Sequence, residues 1–90
     1  MILSFLDRKS QKSFQKRHKS VADYEPMKTA LNELDGWKGF DPPAKIAGKP
    51  VRRGKELRTG WYLVDVAGRV TVYFRWSNGD AFDVEITDYH

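Results

Sequence analysis

Few side chains in this 90-residue sequence can perform acid–base chemistry near neutral pH. The two histidines are His18, within a basic run, and His90, at the end of the sequence. Without cysteine, and with two histidines too far apart for metal-ligand spacing, we expect no metal and no cofactor. The serines give no triad pattern and the glycines no phosphate-binding loop. What remains is metal-free chemistry on a phosphodiester, for which arginine, tyrosine, aspartate and histidine are suitable groups.

The positive charge of the chain is concentrated in two segments. The 16 Lys and Arg exceed the 12 Asp and Glu, and the cations cluster at 8–19 and 45–58. This distribution favours a polyanionic partner, because neutralising phosphates releases counterions. A solvated surface that keeps the protein soluble is the alternative. The candidate RNA-binding residues are Arg52, Arg53, Lys55, Arg58 and Tyr73.

The length and composition predict one small domain over residues 1–90. Hydrophobic residues make up 40% of the chain, which is enough to form a core. No apolar run is long enough to span a membrane, and the first residues lack the basic segment of a signal peptide. We therefore expect a cytoplasmic protein with no membrane partner.

Two helices are predicted in the first 36 residues. Asp7 suits an N-cap for a helix over 8–17. A second helix is expected to begin at an Asp23 cap, to hold Pro26 in its first turn and to end at a left-handed Gly36. Its apolar residues follow helical spacing and should enter the core. These residues are Met27, Ala30, Leu31 and Leu34.

The strand pattern dominates after residue 60. Segments 61–66, 69–76 and 81–87 predict a three-strand meander. Residues 2–6 suit a short first strand, and 35–50, rich in glycine and proline, predict a long loop. The fold class is therefore α+β: a small antiparallel or mixed sheet with two N-terminal helices packed on one face.

The loop between the last two strands decides which side chains share a face. A two-residue turn at Asn78-Gly79 would put Asp83 on the apolar face, whereas a three-residue loop keeps it out. We predict the longer loop, which pairs Phe74 with Phe82. The expected outer face consists of Tyr62, Val64, Arg69, Thr71, Tyr73, Arg75, Ala81, Asp83, Glu85 and Thr87. Such a face can hold RNA by phosphate contacts and base stacking, and an ordinary solvated face is the alternative.

The stretch over 74–90, with its Asn-Gly-Asp-Ala turn and Asp-Tyr-His ending, resembles HigB-type toxins of the RelE/ParE toxin–antitoxin superfamily. The opening Met-Ile-Leu-Ser-Phe, the prolines at 42–43 and Gly60 are similar too, although the match outside 74–90 is patchy. The resemblance implies a RelE-like fold and the toxin of a type II module, which inhibits translation by ribosome-dependent, metal-free mRNA cleavage. The partners that it implies are a cognate helix-turn-helix antitoxin in a hetero-oligomer, the ribosome and mRNA.

The resemblance also assigns candidate catalytic residues. Those that match the family ending are Asp88, Tyr89 and His90. The family arginine position on the strand before the turn is Thr71 here, so the charge would come from Arg69 or Arg75, two residues away on the same face. Thr71 leaves two alternatives open. One is a diverged toxin of this fold that acts by binding the ribosome or gyrase, and the other is a non-toxic RNA-binding domain.

Overall fold

The computed structural model describes residues 1–15, 21–55, 58–66 and 70–88. Within these ranges the helices are α1 (Arg8–Gln15) and α2 (Val21–Gly36). The strands are β1 (Lys45–Ile46), β2 (Lys49–Pro50), β3 (Arg52–Arg53), β4 (Tyr62–Asp65), β5 (Val70–Ser77) and β6 (Asp80–Asp88). Strands β3 to β6 form an antiparallel sheet in chain order, and β1 pairs with β2 in a separate hairpin. The predicted α+β class and the C-terminal meander are confirmed.

Burial of apolar side chains fixes α2 against one face of the sheet. The predicted core residues of α2 are confirmed, since Met27, Ala30, Leu31 and Leu34 are all buried. They share one cluster with buried residues of the strands. Those residues include Ile46, Val64, Val72, Phe74, Ala81 and Val84. We call the side of the sheet that faces α2 the inner face, and the opposite side the outer face.

Helix α1 and the residues before it cover the edge of β6. Asp7 caps α1 as predicted, because its Oδ1 accepts the Ser10 N–H at 2.7 Å. Ser10 is buried, and its Oγ accepts the backbone N–H of Ile86 at 2.9 Å. The expected first strand takes the form of two isolated parallel bridges, made by Ile2 and Phe5 to β6. A covered edge cannot pair with another chain.

The ends of α2 differ from the prediction. Asp23 and Pro26 lie inside the helix and not at its cap and first turn, because the described part of α2 begins two residues before Asp23. Gly36 is the last helical residue but has no left-handed φ. The Trp37 N–H donates to the Leu34 carbonyl at 3.3 Å instead, which tightens the final turn. Neither described helix is both long and apolar enough to cross a membrane.

The segment predicted as a long loop contains the β1–β2 hairpin. Its turn is Ala47-Gly48, with φ of 53° and 76°. Alanine rarely takes a positive φ, so the sequence carries no strong turn signal here. Tertiary contacts hold the turn, since Glu33 Oε2 accepts the Ala47 N–H at 2.7 Å and Ile46 is buried in the core.

The β5–β6 hairpin turns on two residues, so the predicted three-residue loop is wrong. Asn78 and Gly79 have φ of 53° and 83°, the left-handed pair that a type I′ turn requires. The predicted pairing of Phe74 with Phe82 is absent. Phe82 lies opposite Arg75 instead.

A bulge in β6 keeps the acid off the core without a longer loop. The register shifts between Tyr73 and Arg75, because Asp83 and Val84 both lie opposite Phe74. Asp83 takes a φ of 53°, which an aspartate tolerates better than most residues. Val84 therefore enters the core, and the Asp83 carboxylate approaches Arg75 on the outer face.

The observed register also corrects the membership of the two faces. Tyr62 and Val64, expected outside, lie on the inner face, where the Tyr62 ring stacks on Phe74 at 5.7 Å between centroids. Ala81 is buried inside as well, and Phe82 takes an outer position. The described outer face consists of Leu63, Asp65, Thr71, Tyr73, Arg75, Phe82, Glu85 and Thr87.

Candidate nucleic-acid interface

Arginine and aromatic side chains alternate across the outer face. The Arg58 guanidinium carbon lies 4.2 Å from the centroid of the Tyr73 ring and 4.9 Å from that of Trp61. The Arg75 guanidinium carbon lies 5.9 Å from the Trp61 centroid and 5.2 Å from that of Phe82. We call these five residues the cation–aromatic ladder. Each such contact at an exposed site contributes about 0.5–1 kcal/mol, so the ladder orders its own side chains.

Two carboxylates from β6 neutralise the ladder in the free protein. Glu85 forms an ion pair and hydrogen bond with Arg58, in which the two side chains are 18% and 32% exposed. Asp83 lies 3.6 Å from Arg75 in a more exposed pair. The partly buried Arg58–Glu85 pair is less screened by solvent than the Arg75–Asp83 pair, so it should be the tighter of the two.

Arg58 owes its position to the tight connection between β3 and β4. The Arg58 N–H donates to the Lys55 carbonyl at 3.0 Å, and the Trp61 N–H donates to the Arg58 carbonyl at 2.9 Å. Gly54 closes this connection, since its N–H donates to the Trp61 carbonyl at 2.8 Å. A Cβ on Gly54 would lie only 2.2 Å from the Arg58 carbonyl oxygen. Only glycine allows this close approach, which fixes Arg58 and Trp61 side by side.

A basic cleft continues the outer face toward the β3 edge of the sheet. It has a volume of about 710 Å³. Its lining consists of Arg52, Arg53, Lys55, Leu63, Asp65 and Tyr73. Tyr73 therefore borders both the cleft and the ladder, and the two form one continuous surface. Three cations and one carboxylate line the cleft, so it favours an anionic ligand.

Arg53 differs from the other cations of the cleft in the position of its guanidinium group. It lies opposite Tyr62 in the β3–β4 register, and its guanidinium carbon is 5.5 Å from the centroid of that ring. Arg53 therefore lines the cleft while its guanidinium carbon lies beside an aromatic ring of the inner face, and it makes no described contact with the ladder rings. Arg52 pairs with Leu63 and stays on the outer side, in an ion pair with Asp65.

Thr71, at the position that the resemblance assigns to an arginine, is part of the sheet's own hydrogen-bond network. It is 8% exposed, and its Oγ1 donates to Asp65 Oδ1 at 2.7 Å. The other oxygen of Asp65 accepts from Arg52. These three side chains bridge β3, β4 and β5, so the contribution of Thr71 is structural.

The predicted catalytic residues do not form one described cluster. Arg75 is in the ladder, whereas Asp88 is the last residue of β6 and pairs with Val70 at the other end of the sheet. Arg75 lies five positions after Val70, which corresponds to about 16 Å along β5. One phosphate cannot contact both ends. Three further candidates lie outside the described residues: Arg69, Tyr89 and His90.

The structure adds Trp61 and Phe82 to the surface and gives the outer acids Asp83 and Glu85 specific arginine partners, which the sequence did not indicate. Trp61 stands between two arginines, and Glu85 and Asp83 hold those arginines. The three-residue loop predicts Phe82 inside, whereas the observed two-residue turn puts Phe82 opposite Arg75 on the outer face. A bulge signal was present in principle, because the two-residue turn favoured by Asn78-Gly79 would put Asp83 on the inner face of a regular strand, and one extra residue in β6 relieves this conflict.

The described residues contain no group of three or more side chains suited to binding a metal ion. No protein-family model matches the chain, and no curated protein matches it.

Proposed function

We propose that this protein is the toxin of a type II toxin–antitoxin module and that it cleaves mRNA on the ribosome without a metal. The observation that carries the proposal is the cation–aromatic ladder, in which two arginines lie between three aromatic rings on one face of a sheet. The resemblance of residues 74–90 to HigB-type toxins gives the reaction.

The ladder suits RNA for two chemical reasons. Guanidinium groups bind phosphate through paired N–H donors, and both ladder arginines already hold a carboxylate, an oxyanion of related geometry. Half-exposed aromatic rings stack with unpaired bases. The basic cleft extends this surface, so a single strand several nucleotides long has a continuous path across it.

The cleavage that we propose needs three events at one phosphate. The ribose 2′-oxygen loses its proton to a base and bonds to phosphorus, and the bond from phosphorus to the 5′-oxygen breaks as that oxygen gains a proton. Asp88, Tyr89 and His90 are the proposed proton-transfer groups, and Arg69 is the proposed cation that stabilises the developing negative charge on the phosphate. Arg75 lies too far along β5 for this role, so we assign it to RNA positioning.

Induced expression in a bacterial host tests the proposal. We expect growth arrest together with new 5′ ends in translated mRNAs, and neither effect with His90→Ala. Arg75→Ala should reduce cleavage by about tenfold, the value of one charge-assisted contact. The matched control is Lys38→Ala, which removes an exposed cation from the loop after α2. Growth arrest with intact mRNA would refute cleavage.

A second candidate function is growth arrest by binding alone. The buried, hydrogen-bonded Thr71 favours it, because no cation stands at the position where the resemblance expects one. This candidate predicts growth arrest with intact mRNA. A change in plasmid supercoiling after induction would then indicate gyrase as the target, and unchanged supercoiling would favour the ribosome. Harmless expression would instead favour a non-toxic RNA-binding domain.

A further inference from the structure

We infer that Glu85 and Asp83 occupy two phosphate subsites, on Arg58 and Arg75, which single-stranded RNA takes over when it binds. This inference rests on the proposed function only in taking RNA as the ligand. It adds to it the location of two subsites and a device within the chain that competes for them.

Glu85 and Asp83 offer the ladder arginines the same chemistry as a phosphate. A carboxylate and a phosphate offer a guanidinium the same kind of acceptor oxygens, so only one of them can occupy a given set of N–H donors. Arg58 donates to Glu85 Oε1, and Arg75 Nη1 lies 3.6 Å from Asp83 Oδ2. The acids are attached to a folded strand, and therefore compete at high local concentration.

The bulge in β6 directs Asp83 toward Arg75. On a regular strand Asp83 would point into the core, next to the fully buried Phe74. The bulge, with φ of 53° at Asp83, brings its carboxylate to Arg75 instead. The Asp83 N–H donates to Ser4 Oγ at 3.0 Å, which holds the bulge from the neighbouring segment. The position of the Asp83 carboxylate is thus fixed by the fold.

Arg58 and Arg75 are close enough to bind phosphates of one RNA strand. Both guanidinium carbons lie over the same ring, 4.9 Å and 5.9 Å from the Trp61 centroid. Their separation is at most the sum of these distances, which nearby phosphates of one strand can span. Trp61 then lies between the two subsites, where an unpaired base can stack. A mononucleotide carries one phosphate and can displace only one of the two acids. A strand carries several phosphates and can displace both.

Equilibrium binding of a short fluorescein-labelled oligouridylate to the full chain tests the inference without any nuclease readout. Glu85→Gln should tighten binding by about threefold to tenfold, because RNA no longer displaces an ion pair. The matched control is Glu25→Gln, which removes the same charge from an exposed position on α2. It should change the affinity by less than about twofold, since it acts only through the distant field.

A double-mutant cycle separates local competition from net charge. Arg58→Ala should weaken binding and reduce the slope of log K against log salt by about 0.7, the value for one phosphate on a single strand. In the Arg58→Ala background, Glu85→Gln should no longer increase the affinity for RNA, because there is no Arg58 guanidinium to release from the ion pair. Asp83→Asn with Arg75→Ala forms a second, independent cycle, and asparagine tolerates the left-handed φ.

The inference is overturned if Glu85→Gln and Glu25→Gln behave alike, or if the gain persists without Arg58. Equal tightening on duplex RNA would overturn the assignment to a single strand. The proposed function fails on a different readout, namely intact mRNA during induction. Circular dichroism shows whether each variant is folded. If a variant at Glu85 or Arg58 does not fold, the cycle of Asp83→Asn with Arg75→Ala tests the inference instead.

Discussion

Replacing Gly54 with alanine should dislodge Arg58 from the ladder. The added Cβ would lie 2.2 Å from the Arg58 carbonyl oxygen and 2.7 Å from its Cβ. Ordinary contact begins near 3.4 Å, so the Arg58 backbone must retreat by more than an ångström. Because this backbone also accepts the Trp61 N–H, the shift reaches two members of the ladder at once.

The energetic effect follows from this overlap. Forcing a methyl group into a packed position costs about 1–3 kcal/mol, so we expect Gly54→Ala to lower the free energy of unfolding by that amount. The affinity for single-stranded RNA should also fall, by about threefold to tenfold, because Arg58 loses its place over Tyr73. The chain has three tryptophans, so urea unfolding followed by their fluorescence measures the first effect, and oligouridylate binding measures the second.

Gly36→Ala is the matched control for Gly54→Ala. A Cβ at Gly36 meets nothing within 4 Å, and the residue ends α2 without a left-handed φ. Alanine should therefore stabilise the protein by about 0.4–1 kcal/mol, mainly by restricting the unfolded chain, and leave RNA binding unchanged. If Gly54→Ala unfolds at the wild-type urea concentration and binds RNA normally, the account of how Arg58 is positioned is wrong.

Three further substitutions test the contacts that support the sheet, each by urea unfolding. Ser10→Ala removes the acceptor of the Ile86 N–H at a buried site, so we expect a loss of about 1–3 kcal/mol. Asp7→Ala removes the cap of α1 and should destabilise the protein by about 1 kcal/mol. Thr71→Val keeps the shape of Thr71 but loses the bond to Asp65, with an expected loss of about 0.5–1.5 kcal/mol. An unchanged midpoint in any of the three would show that the corresponding hydrogen bond contributes nothing to stability.

Helix periodicity predicted the part of the fold that local sequence controls. The apolar spacing of α2 identified the four core residues that the structure describes in it, and Asp7 identified the start of α1. The end of α2 was not predictable in the same way. Gly36 usually signals a left-handed cap, but here the Trp37 N–H closes the last turn instead. Helix ends thus depended on contacts beyond the local pattern.

The β1–β2 hairpin was missed for a related reason. Its turn places an alanine at positive φ, which intrinsic preference disfavours. The bond from the Ala47 N–H to Glu33 and the burial of Ile46 in the core support that conformation. Both contacts depend on α2 being in place, so only the tertiary structure reveals this turn.

The candidate site depends on the register of β6 more than on any single motif. The predicted three-residue loop places Phe82 inside and leaves Asp83 and Glu85 as outer acids without assigned partners. The two-residue turn puts Phe82 outside instead, and the extra residue at Asp83 lets each acid reach a specific arginine. The basic segment that sequence composition indicated is therefore only half of the surface. The other half is β6, whose carboxylates form ion pairs with the ladder arginines. The chemistry of the ladder follows from this pairing of acids with arginines.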